Sequence, residues 1–124
     1  LMTGICFSMI FGLKKEIMLS ILPKSVTSPV AMDIAGEIGG VSSLAAVYVM
    51  IAGISGAMFG PPLLKRCGVT HYIGVGMGFG AAAHGIGTSK ALEIGEREGA
   101  ISSVSMILSA IFSAMIFPYI TMLL

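Results

Sequence analysis

Long uncharged apolar runs alternate with short polar clusters along this chain. Residues 38–64 and 99–124 carry no charged side chain, and at 27 and 26 residues each is long enough to cross a bilayer, which needs about 20 apolar helical residues. Residues 1–13 read as the tail of a further span, closed by Lys14, Lys15 and Glu16. Thirteen residues make only about 20 Å of helix, so the chain is expected to begin inside that span, with an N-terminal half of the protein missing. Between the runs lie two unusual segments, 17–32 and 72–90. The pattern predicts a single all-α polytopic membrane domain over residues 1–124. About four segments are expected to cross, two regular (38–64, 99–124) and two interrupted or glycine-rich (17–32, 72–90).

The first unusual segment reads IMLSILPKSVTSPVAM. Pro23 cannot donate to the carbonyl of Leu19, nor Pro29 to that of Ser25. Backbone freed in this way must face protein or a wet cavity, so a broken helix carrying Lys24, Ser25, Thr27 and Ser28 is expected. In the second, Gly76, Gly80, His84 and Thr88 recur at steps of four and share one helical face. Each interior glycine weakens a helix by roughly 1 kcal/mol relative to alanine. The expected compensation is close approach of another backbone or of a ligand. Gly53, Gly56 and Gly60 form a similar small-residue stripe in the 38–64 run, and Pro61 and Pro62 are expected to end that helix. Glu93 and Arg97 stand at i,i+4 in the favourable order, which predicts a helical turn reaching into water over residues 90–98.

Composition strengthens the membrane reading. Hydrophobic residues make up 56% and charged residues 10%, against about a quarter charged in soluble domains. A net charge of +1 with no run of Lys or Arg excludes a nucleic-acid surface. Cys6 and Cys67 lack the spacing of a metal site or redox motif. The alternating Gly74, Gly76, Gly78 and Gly80 do not match a dinucleotide loop. No nucleophile elbow is present, so no enzyme, cofactor or metal is expected. If four segments cross, Lys14 and Lys15, Lys65 and Arg66, and the C-terminus all face the cytoplasm by the positive-inside rule. The acidic clusters at Asp33 and Glu37 and at Glu93–Glu98 then face the other side. Re-entry of the proline-broken segment would invert everything downstream. A short interrupted segment followed by a long span occurs twice, at 17–64 and 74–124, the arrangement that marks binding sites in repeat-built transporters.

Several polar residues admit two readings. Lys24 either snorkels to the interface or pairs with an anionic substrate or a carboxylate. His84 is either a hydrogen-bonded interior histidine or part of a pore or substrate path. Ser25, Thr27, Thr88 and Ser89 can bond back to helix carbonyls or serve a ligand.

The motifs LPKSVTSPVAM (22–32), GEIGGVSSLAAVYVMIAGISGAMFGPPLL (36–64) and AHGIGTSKALEIGEREGAISSVSMIL (83–108) resemble the LrgB/CidB family. The resemblance covers about residues 13–124, the C-terminal portion of such proteins. It departs from the commoner pattern at Gly85, where alanine is usual, and at Ser89 and Lys90, where Ala-Arg is more typical. The family is described as antiholin-like or holin-like, modulating murein hydrolase activity and cell lysis with a small LrgA/CidA-type membrane partner. Related plastid proteins resemble carriers of glycolate and glycerate. Hydroxyls, helix-end amides and cations suit a carboxylate. The expectation is therefore a subunit carrying small organic anions of the pyruvate, glycolate or glycerate type. Lysis regulation is the alternative. Lys24, Ser25, Thr27, His84, Gly87, Thr88 and Lys90 are the candidate substrate-binding residues. A homo-oligomer in the bacterial cytoplasmic membrane is expected.

Overall fold

A computed structural model describes Cys6 and residues 9–123. From Lys15 onward the chain is helical with short connections, and the described residues contain no strand. The helices are α1 (Lys15–Ile21), α2 (Ser28–Glu37), α3 (Ser42–Arg66), α4 (Tyr72–Ile94) and α5 (Glu96–Leu123). They form two compact units, one of Leu1–Met50 with Ala110–Leu124 and one of Ile51–Ser109. Both α3 and α5 lend residues to each.

In the first unit the expected break falls between α1 and α2. Pro23 stops α1, and the chain tightens through Lys24 N–H to Ile21 O and Val26 N–H to Pro23 O, both at 3.2 Å. Pro29 does not break a helix. It stands at the start of α2, where its missing N–H would have had no intrahelical acceptor and its fixed φ suits the first turn. Helix α2 ends in a glycine cap: Gly39 takes φ 86°, and Gly40 N–H reaches Ala35 O at 2.7 Å, the Schellman arrangement. The chain then doubles back against α1. Val41 N–H donates to Ser20 Oγ at 2.7 Å, while Ser20 Oγ donates to Glu16 O at 2.7 Å. A Cβ on Gly40 would lie 3.0 Å from the Ser20 backbone nitrogen. Around this fold-back Leu19, Leu22, Val26, Ile34, Ala45, Val49 and Phe117 form one buried cluster. Ser20→Ala should cost about 1–3 kcal/mol by leaving the Val41 N–H without its acceptor. The check is thermal unfolding of the complete protein in detergent, and an unchanged midpoint would refute it.

The second unit corrects the expectation of four crossing segments. Among the described residues, two helices are long and apolar enough to cross a bilayer, Ser42–Arg66 and Glu96–Ile120. Helix α4 is not a third. At His84 the backbone leaves helical geometry, with φ 41° and ψ −131°, and the chain reverses. The arm after His84 returns along the arm before it: a Cβ on Gly87 would lie 2.6 Å from Phe79 O, and Ala91 packs with Val75 and Phe79. In a straight helix residues 75 and 91 would stand about 24 Å apart. The arms, residues 72–83 and 85–94, are about 18 Å and 15 Å long. Neither can cross a core of about 30 Å, so α4 is a non-spanning helical hairpin with His84 at its tip.

This reversal changes the expected arrangement of charge. Arg97, at the start of α5, lies over the Tyr72 ring with its guanidinium carbon 5.7 Å from the centroid, so both mouths of the hairpin open at one end of the unit. The end of α3 at Lys65 and Arg66 is there too, just before Val69, which packs against the cluster of Val75, Phe79 and Ala91. Within this unit, the basic pair Lys65 and Arg66 and the acidic cluster Glu93–Glu98, expected on opposite sides of the membrane, thus share an end. Two smaller expectations also change. Helix α3 continues through Pro61 and Pro62 to Arg66, because two adjacent prolines forfeit only the bonds to Ala57 and Met58. It ends in a glycine cap instead, with Gly68 at φ 74° and Val69 N–H on Leu64 O at 2.9 Å. Gly95 separates α4 from α5, so no continuous turn joins Glu93 to Arg97. Glu93 pairs with Lys90 at 2.6 Å.

Candidate functional site

Gly76, Gly80 and Gly87 of the hairpin are there for contact. Gly76 and Gly80 are buried and lie against α5: a Cβ on Gly76 would come 2.6 Å from Glu98 O, and one on Gly80 would overlap Ser102 O. The stripe on α3 meets the hairpin from another side. Added Cβ atoms would fall 2.7 Å from His84 Cε1 at Gly53, 2.5 Å from Ala83 Cβ at Gly56 and 2.7 Å from Phe79 Cε1 at Gly60. Close backbone approach is therefore what offsets the low helix propensity of this segment. Outward-facing Ile54, Met58, Phe59 and Leu63 of α3 and Val104, Ile107 and Leu108 of α5 are exposed. An apolar surface of this extent suits lipid.

At the tip, His84 is 3% exposed and its ring lies over Gly53. It is the one non-glycine with positive φ among the described residues. Non-glycine residues seldom occupy that region, and holding one there costs about 1–3 kcal/mol. Thr88, buried one turn along the returning arm, is hydrogen-bonded on both sides. Its Oγ1 donates to His84 O at 2.8 Å and lies 2.9 Å from Ser102 Oγ. Ser105 Oγ donates to Met77 O at 3.2 Å, a second α5 hydroxyl bridging to the hairpin.

The structure draws His84, Gly87 and Thr88 together at the buried end of the hairpin. Gly87 fills a packing position between the arms, where a side chain would strike Ala83 and Phe79. Lys90 lies further down the returning arm, ion-paired to Glu93. Lys24, Ser25 and Thr27 sit together in the α1–α2 break of the other unit, each half-buried. Thr27 occupies the N-cap position of α2, yet its side chain makes no capping bond. Its hydroxyl is thereby left to another acceptor or donor. Ser102 and Ser105 were not singled out from sequence. The signal was present in the three-residue spacing that puts both on one face of α5, opposite glycines four apart. Cys6 and Cys67 are free and exposed.

Two helices long and apolar enough to cross a bilayer, joined by a hairpin too short to span one, mark a membrane protein of the all-α class. The chain belongs to the LrgB-like family, whose profile matches residues 1–123. It is 46% identical over 123 residues to a protein of Bacillus subtilis strain 168 named as uncharacterized protein YxaC, covering 99% of this chain and 54% of that one. It is 35% identical over 114 residues to the holin-like protein CidB of Staphylococcus epidermidis RP62A, covering 92% and 50%. Against the holin-like protein CidB of Staphylococcus aureus Mu50 the identity is 34% over 113 residues, covering 91% and 49%. The chain spans about half the length of these curated relatives. No solved structure matches it.

Proposed function

We propose that this chain is part of a carrier for small carboxylates of the pyruvate, glycolate or glycerate type. It would work in the bacterial cytoplasmic membrane as a homo-oligomer with an LrgA/CidA-like partner. The observation that carries the reading is the non-spanning hairpin with its buried break at His84. Non-helical backbone at membrane depth is tolerated where it lines a cavity or is buried in protein, and discontinuous helices supply the half-helix ends that hold substrate in transporters. The α1–α2 break offers a second such element. There Ser25, Thr27 and the first N–H groups of α2 bind the carboxylate, and Lys24 adds positive potential. In the other unit, His84 is by itself the group that binds an oxo or hydroxy function or carries a coupled proton. Gly87 lets the arms close. Lys90 acts through potential alone, because its ammonium is already paired.

A second reading, regulation of murein hydrolase activity and lysis in the antiholin manner, is favoured by the holin-like name of the staphylococcal relatives. Uptake of labelled pyruvate and glycolate into proteoliposomes holding the complete protein and its partner separates the two. Saturable uptake is expected, and Lys24→Met should raise the half-saturation concentration about tenfold, the worth of one charged hydrogen bond. Absence of uptake together with dye leakage from the same vesicles would favour the lysis reading. Unchanged affinity in Lys24→Met would remove the charge from the mechanism.

A further inference from the structure

We propose that Ser102 is a positioning residue, which fixes the hairpin tip through a directed relay of two hydroxyls ending on the His84 carbonyl. The direction follows from counting protons. Thr88 has one hydroxyl proton and gives it to His84 O at 2.8 Å, a far better acceptor than the Met106 sulfur 3.9 Å away. The 2.9 Å contact between Thr88 Oγ1 and Ser102 Oγ must then be donated by Ser102, because Thr88 can only accept there. The relay runs Ser102 O–H to Thr88 Oγ1–H to His84 O.

Its placement is set by backbone packing. Gly80 stands four residues before His84 and Thr88 four after it, and both meet α5 at Ser102, Gly80 against the serine carbonyl and Thr88 against its hydroxyl. One residue of a crossing helix thus touches each arm at the same distance from the tip. Ser102 is 0% and Thr88 7% exposed, so water cannot replace either partner without opening the hairpin. A buried hydroxyl deprived of its partner is expensive, and neighbours in such a chain act as a unit. Thr88 accordingly acts on any substrate through His84 and does not itself bind it. That consequence for transport rests on the carrier reading above; the relay itself does not.

The test uses the complete protein with its partner in vesicles, native cysteines replaced and Gly85→Cys introduced at the tip. A Cβ at position 85 meets nothing within 4 Å, so the probe fits. Labelling by a membrane-impermeant maleimide reports opening of the hairpin. Ser102→Ala and Thr88→Val should each speed labelling about fivefold, and Thr88→Ser, which keeps the hydroxyl, should stay within about twofold of the parent. The double variant Ser102→Ala/Thr88→Val should label no faster than the faster single one, since both cut the same relay. Parent-like labelling in Ser102→Ala, or fold-changes that multiply in the double variant, would overturn the relay. Should Ser102→Ala not fold, equal labelling of Thr88→Val and Thr88→Ser would overturn it, and a difference between them would support it. In the uptake assay, Ser102→Ala should raise half-saturation for pyruvate and Thr88→Ser should not. If the parent takes up neither pyruvate nor glycolate, the carrier reading falls while the labelling result still decides the role of Ser102.

Discussion

Gly80→Ala is expected to destabilise the complete protein by about 1–3 kcal/mol or more, the range for overpacking a tight interior. The added methyl would overlap Ser102 O and lie 2.9 Å from Ser105 Cβ. A flexible side chain could turn aside, but the first obstacle is backbone of a crossing helix, so α4 and α5 must part. The separation would also strip Thr88 of its Ser102 partner, which adds a polar cost to the steric one. Gly85→Ala is the control. Its methyl would meet nothing within 4 Å, and alanine should hold or raise stability by up to about 1 kcal/mol through the unfolded chain. Thermal unfolding of both variants in detergent decides. Equal midpoints would mean that the glycine ridge is not a contact surface.

The second large effect concerns His84, where fold and function should part company. At φ 41° the backbone is strained for any side chain and relaxed for glycine. His84→Gly and His84→Ala both remove the imidazole beside Gly53, so both should abolish uptake. Only the alanine variant keeps the strain while losing the ring's contacts. His84→Gly should therefore unfold at a higher temperature than His84→Ala, by about 1 kcal/mol or more in stability. A glycine variant no more stable than the alanine one would show that the tip is not held against its backbone preference. Uptake surviving in either would remove the imidazole from the transport path.

The contrast between the two breaks shows which features have a local signal. Pro23 removes a donor wherever it stands in a helix, so the end of α1 and the cluster of Lys24, Ser25 and Thr27 behind it were readable residue by residue. Gly76, Gly80, His84 and Thr88, which their period assigned to one helical face, all prove buried, but the reversal at His84 divides them between two arms. Pro61 and Pro62 misled in the opposite direction. The same local rule predicted a helix end, yet α3 continues past them and stops only at the Gly68 cap.

Composition and spacing by themselves determined that this is an all-helical membrane protein with two long apolar helices, a proline-broken segment and a small-residue ridge, though they also counted the two irregular segments as crossing. Those properties depend on transfer of side chains into lipid and on which backbone groups can pair locally. The reversal at His84 was decided only by tertiary structure. Nothing in a histidine favours positive φ, and a run of glycines is equally compatible with a straight span. The turn persists because Ala91 on Val75, Gly80 on Ser102 and Thr88 on Ser102 are contacts that exist only once the arms lie together. That packing, and not any local preference, places both mouths of the hairpin at one end of its unit and puts an imidazole at its buried tip.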